Sequence, residues 1–90
     1  MRRIDLSRQA ARVLERLPPK HRRQVIDKIC HLAQDPTPPD AKPLKGHTYF
    51  RADSGEYRIV YDFATDVLRV VVVGKRNDDE VYRILGRRPR

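Results

Sequence analysis

An α+β sandwich, with a helix hairpin packed on one face of an antiparallel sheet and a short C-terminal helix, is the fold this sequence predicts. Three observations predict it. Apolar residues recur with a period of 3.6 in the first third of the chain, a proline-rich stretch interrupts them, and the period is 2 thereafter. Ninety residues supply one thin core, so both halves are expected to share it as a single domain spanning 1–90.

Residues 2–6 read as a short edge strand because a helix signal begins directly after them at Ser7, a side chain suited to N-capping. Ala10, Val13, Leu14 and Leu17 then fall at i, i+3, i+4 and i+7, with Arg8, Arg12, Glu15 and Arg16 on the other side. Pro18 ends this amphipathic helix, and Pro19 suits the first turn of a second one. The second helix has a buried stripe of Val25, Ile26, Ile29, Leu32 and Ala33, with Arg22, Arg23 and Lys28 outside. So tight a link makes an antiparallel hairpin. Residues 35–43, DPTPPDAKP, form a stiff connector, since proline lacks the N–H that helices and central strands use.

Three strands follow as an antiparallel meander: a short one around 48–52, then 57–63 and 67–73, joined through 53–55 and 64–66. In the middle strand Tyr57, Ile59, Tyr61 and Phe63 alternate with Arg58, Val60 and Asp62, so Arg58 points away from the Tyr57 face. The valine-rich last strand is expected to be central. Gly74 ends it, a short helix over 78–85 follows, and residues 86–90, GRRPR, are too poor in apolar content to be ordered alone.

Twenty Lys and Arg against twelve Asp and Glu give a net charge of +8, which favours a polyphosphate, an anionic membrane surface or an acidic protein as partner. The longest apolar run, 70–73, is far too short to cross a bilayer, and the arginine-rich N-terminus lacks the apolar stretch of a signal peptide, so a cytoplasmic location is expected. A single cysteine, Cys30, excludes an intrachain disulfide and a cysteine cluster for zinc; it reads as a packing residue. There is no P-loop, dinucleotide fingerprint or nucleophile elbow, and no metal-ligand spacing, so neither cofactor nor metal is expected.

What remains is a concentration of Lys42, Lys45, Arg51, Arg58, Lys75 and Arg76 interleaved with Tyr49, Tyr57, Tyr61 and Tyr82. Guanidinium groups neutralise phosphate through a planar fork, and tyrosine rings stack unpaired bases, which suits RNA. Composition alone equally allows solvated charge on ordinary strands with the tyrosines in the core. His21 and His31 lie on the polar or bordering side of the second helix; His47 lies in the loop after Gly46 and is a candidate substrate contact. Arg2, Arg3, Arg8, Arg12, Arg16, Arg22 and Arg23 read as a solvated face.

The order of the pieces is more specific than their composition. Leu44-Lys45-Gly46, Arg51, Gly55-Glu56-Tyr57-Arg58-Ile59-Val60-Tyr61, Gly74-Lys75-Arg76 and Val81-Tyr82 occur in the sequence of segments that marks the RelE branch of the RelE/ParE toxins. The chain resembles that family over nearly its whole length. The resemblance implies a compact fold related to microbial ribonucleases, and a metal-independent endoribonuclease that cleaves mRNA in the ribosomal A site through the RNA 2′-hydroxyl. It also implies a prokaryotic toxin–antitoxin system in which an acidic, RelB-like antitoxin holds the toxin inactive. Carried over by position, Arg58, Arg76, Tyr82 and Arg51 become the candidate catalytic residues, with Lys45, Lys75, His47 and Tyr49 as candidate RNA contacts. On the same resemblance the arginine-rich N-terminal face would touch ribosomal RNA. One departure stands out: Asp53 occupies a position where many relatives carry a second basic residue, two beyond Arg51. Two other functions fit a basic protein of this kind, a ParE-type inhibitor of DNA gyrase and an RNA-binding module without turnover.

Overall fold

A computed structural model of the chain describes residues 1–77 and 80–87. The elements run β1 (Arg3–Leu6), α1 (Arg8–Arg16), α2 (Pro19–Gln34), β2 (Lys42–Pro43), β3 (Phe50–Ser54), β4 (Tyr57–Phe63), β5 (Val67–Lys75) and α3 (Glu80–Arg87). The five strands form one sheet in the order β1-β5-β4-β3-β2. The expected meander is its antiparallel middle, and the valine-rich β5 is an interior strand, paired with β1 on one side and β4 on the other; β4 holds the centre. Two features extend it. β1 lies parallel to β5, with Arg3 beside Val67 and Leu6 beside Val70, and the two-residue β2 closes the far edge against Phe50 and Arg51.

Ser7 caps α1 as its residue type suggested: its hydroxyl accepts from the Ala10 N–H at 3.0 Å and donates to the Val71 carbonyl at 2.6 Å, fastening the helix start to the sheet. The helix hairpin then covers one sheet face. Ala10, Leu14 and Leu17 meet Val25, Ile29, Leu32 and Ala33 over Ile59, Tyr61, Leu68, Val70 and Val73. Ile26, expected in this stripe, is 40% exposed, because it sits one residue, about 100° of helix, beyond Val25 and so turns away from the face that packs on the sheet.

Arg22 corrects a second expectation. It is no part of a solvated face: Nε donates to the Leu14 carbonyl at 2.8 Å, and Nη2 to those of Glu15 and Leu17 at 3.0 Å each. These carbonyls end α1 and have no partner within their own helix, so one guanidinium both caps α1 and pins it to α2. Arg22→Ala is expected to cost about 1–2 kcal/mol, since charge-assisted hydrogen bonds are lost at a half-exposed site where water replaces part of them. A thermal melt showing no change in Tm would contradict this role. Arg2 is similarly occupied, with Nε on the Ala64 carbonyl at 2.7 Å and its guanidinium 5.5 Å from the centre of the Phe63 ring.

The β3–β4 connection is a two-residue loop, Gly55-Glu56, between the paired Ser54 and Tyr57, in place of the expected 53–55. Gly55 has φ +59°, the left-handed conformation such tight hairpins require. The strand therefore begins and ends two residues later than expected, at Phe50–Ser54, and Asp53 lies within it. In the middle of β4 the register shifts: Val60 pairs with Val72 and Tyr61 with Val70. The extra residue turns both Val71 and Val72 toward the second sheet face. α3 extends to Arg87, two residues past the expected helix end; of the basic tail expected over 86–90, residues 88–90 lie outside the described residues, as do 78–79 at the expected helix start. No helix among the described residues is long and apolar enough to cross a membrane.

Candidate functional site

The sheet face opposite the helix hairpin is only partly covered. α3 lies on it, bringing Val81, Tyr82, Ile84 and Leu85 against Leu44, Val60, Val71 and Val72. The approach is close because Gly74 has no side chain: a Cβ there would meet Glu80 Oε2 at 2.8 Å, Val81 Cγ1 at 3.3 Å and Ile84 Cδ1 at 3.4 Å. Glu80 returns a hydrogen bond to the strand, its Oε2 accepting from the Lys75 N–H at 2.6 Å. Gly74→Val is expected to lift α3 from the sheet and to carry Tyr82 with it. Increased hydrogen exchange of the α3 amides, with the helix-hairpin amides unchanged, is the result that checks this.

Strand alternation decides which basic residues share the uncovered part of that face. Arg51 is registered opposite Val60, and Arg58 lies two residues before Val60, so both project to the α3 side. Arg58 sits directly across from Asp53. The two form a forked ion pair, Nε to Oδ1 at 2.8 Å and Nη2 to Oδ2 at 3.3 Å, with the side chains 19% and 33% exposed. Arg76 is exposed one residue past the end of β5, where its N–H donates to the Glu56 carbonyl at 3.0 Å. That bond prolongs the β4–β5 ladder, so alternation puts Arg76 on the same side as Gly74 and Arg58.

Three rings cluster on the α3 side. The turn after β2 places His47: its N–H donates to the Leu44 carbonyl at 3.1 Å, the Leu44 N–H donates to the Tyr49 carbonyl at 2.8 Å, and Gly46 at φ +79° allows the bend. His47 stacks on Tyr49, centres 6.1 Å apart and planes at 16°, and lies 6.0 Å from Tyr82. Lys45 is exposed at the tip of the same turn.

Of the eight candidate residues, the structure thus gathers Arg51, Arg58, Arg76 and Tyr82 with His47, Tyr49 and Lys45 on one side. Lys75 does not join them: it pairs with Tyr57, whose side chain packs on the helix-hairpin face. Two tyrosines of the original concentration also leave the site. Tyr57 makes an edge contact with His21, ring centres 5.7 Å apart, and Tyr61 is fully buried. The partnership of Asp53 with Arg58 carries no local signal in the sequence, because a three-residue loop over 53–55 leaves Asp53 outside the strand, whereas the two-residue loop sets it directly across from Arg58. Among the described residues, no group of three or more His, Cys, Asp or Glu is placed to hold a metal ion.

This architecture is that of the RelE toxins. The chain is 25% identical to RelE in the RelE–RelB complex from Pyrococcus horikoshii, with a TM-score of 0.74 over 86% of this chain and 97% of that one. A RelBE toxin–antitoxin complex from Mycobacterium tuberculosis gives 25% identity and a TM-score of 0.71, covering 83% and 98%. A free Escherichia coli RelE variant gives 26% and 0.72, covering 91% and 90%. No curated protein sequence matches the chain significantly. A family model described as the ParE toxin of the type II toxin–antitoxin system, parDE, matches residues 4–80. The chain belongs to this family, within the RelE/ParE superfamily, and is the toxin of a type II toxin–antitoxin system.

Proposed function

We propose that this toxin is a ribosome-dependent endoribonuclease that cleaves mRNA in the A site. The observation that carries the reading is the convergence of Arg51, Arg58, Arg76 and Tyr82 on the sheet face left partly open by α3. Cleavage through the RNA 2′-hydroxyl needs a proton acceptor, stabilisation of the charge on the pentavalent phosphate and a donor for the leaving 5′-oxygen; the RNA supplies its own nucleophile, so the scheme requires no metal. Arg58 and Arg76 suit the charge role, because guanidinium stays protonated and offers paired donors. Tyr82 stacks a base or exchanges a proton. Arg51 holds the phosphate backbone, and Lys45, His47 and Tyr49 receive the neighbouring nucleotides.

An acidic, amphipathic antitoxin of the RelB kind is the inhibitor this basic surface fits, in the cytoplasm of a prokaryote. The structural relatives in complex with RelB support that partner. The description of the matching family model supports a second reading, inhibition of DNA gyrase without RNA cleavage. Toeprinting of ribosomes on a short message separates them. Cuts confined to the A-site codon are expected. No cuts, together with inhibition of gyrase supercoiling, would replace the nuclease with the gyrase reading; RNA binding without either would leave a binding module.

A further inference from the structure

The carboxylate of Asp53 occupies the Nε–Nη2 edge of Arg58, the edge with which a guanidinium grips two oxygens of a phosphate. A carboxylate and a phosphodiester present two anionic oxygens at similar spacing, so both compete for that edge. We infer that Asp53 is an internal phosphate mimic: it holds Arg58 in place on the sheet and weakens the capture of RNA until a backbone phosphate displaces it. This rests on the open face being the RNA site, and it assigns Asp53 the part of a positioning residue that acts through Arg58.

The geometry favours competition over a purely structural pair. Asp53 and Arg58 stand directly across adjacent strands and are both partly solvent-accessible, so the carboxylate can swing into water when the guanidinium changes partner. The carboxylate is the more exposed of the two side chains, 33% against 19%, so water can take over its hydrogen bonds when a phosphate takes its place on the guanidinium. The same sheet supplies a matched control. Asp62 and Arg69 form the same kind of cross-strand ion pair, Nε to Oδ1 at 2.7 Å, between β4 and β5 toward the opposite end of the ladder.

The test uses the full chain and a short 2′-O-methyl RNA, which binds but cannot be cleaved, followed by fluorescence anisotropy over a range of salt concentrations. Asp53→Asn is expected to tighten binding about tenfold at low salt, the size expected from removing one like charge beside a phosphate contact near the surface. The salt dependence should steepen by about 0.7, one extra phosphate contact on a single strand. Asp53→Glu, which keeps the competing anion, should bind like the unaltered chain. Asp62→Asn should change binding by far less, and Asp53→Asn should have no effect in an Arg58→Ala background. On ribosomes, Asp53→Asn should lower KM and leave kcat within a few fold. Equal tightening by Asp53→Asn and Asp62→Asn would reduce the effect to net charge and overturn the inference; weaker binding by Asp53→Asn would make the pair purely orienting and overturn it too. Failure of the unaltered chain to cut any message would sink the nuclease reading, while the anisotropy comparison would still decide the role of Asp53.

Discussion

Alanine at Arg58 is expected to lower A-site cleavage by about 10²–10³-fold, the usual consequence of removing one donor aimed at the charge that develops in a transition state. The loss should fall on kcat, because the phosphate bears its additional charge only at the pentavalent stage. Lysine at the same position should recover only part of the rate: its ammonium restores the charge but not the planar fork that spans Nε and Nη2. The fold should survive either change. Arg58 stands on the partly open face, outside both hydrophobic clusters, and Asp53, already partly exposed, can hydrate when its partner is removed. Rapid-quench measurement of cleavage beside a thermal melt makes the test. A rate within about threefold of the unaltered chain, in a protein that melts normally, would remove Arg58 from the chemistry.

The largest effect on stability is expected at Tyr61. Its ring is fully buried between the helix hairpin and the sheet, lies 6.0 Å from the Phe50 ring, and its hydroxyl donates to the Pro36 carbonyl at 2.6 Å. Tyr61→Ala opens a cavity at the centre of the larger cluster and is expected to cost about 3–5 kcal/mol. That is a large part of the 5–15 kcal/mol or so by which domains are stable, so the variant should be unfolded or nearly so at physiological temperature. Tyr61→Phe keeps the packing and orphans the Pro36 carbonyl, for about 1–3 kcal/mol.

The same residue fixes an alkaline limit. Burial, reinforced by the negative charges of Asp40 and Asp35, pushes the Tyr61 phenol up to about 12 from an ordinary value of 10.0. The raised value means that the folded chain keeps a proton which the unfolded chain releases earlier. The contribution is therefore complete below pH 10 and is lost progressively as pH rises toward 12. Urea unfolding at about pH 9 and about pH 11 should show stability falling more steeply for the native chain than for Tyr61→Phe. Parallel pH dependences would refute the assignment.

The helix hairpin and the meander were legible because their signals are local: a period of 3.6 bounded by Ser7 and Pro18, then a period of 2. What escaped depends on register or on distant backbone. The pairing of β1 with β5 joins residues more than sixty positions apart, and two residues as unremarkable as Lys42 and Pro43 give no strand signal. Arg22 looked like surface charge because its acceptors are main-chain carbonyls, which carry no mark in a sequence. The candidate site was legible as a set of residues and not as a geometry. Alternation placed Arg58 correctly, but a loop of two residues where three were expected decided whether Asp53 faced Arg58 or solvent. The same alternation removed Lys75, one position from Gly74, from the face to which its neighbour belongs.

The position of β5 also constrains how the protein is made. It is the last strand to leave the translating ribosome, yet β1, β4 and α3 all dock on it. α1 and α2 can form early from local contacts, but they have no sheet to cover until residues 67–75 emerge. The nascent toxin thus waits, helices first and core unsealed, while its basic face has neither the strand that supports Arg58 nor the helix that carries Tyr82. The site is complete only once β5 and α3 have both been made and packed against β4; because long-range strand pairing is slower than local helix formation, assembly of the sheet is expected to set how soon the site forms.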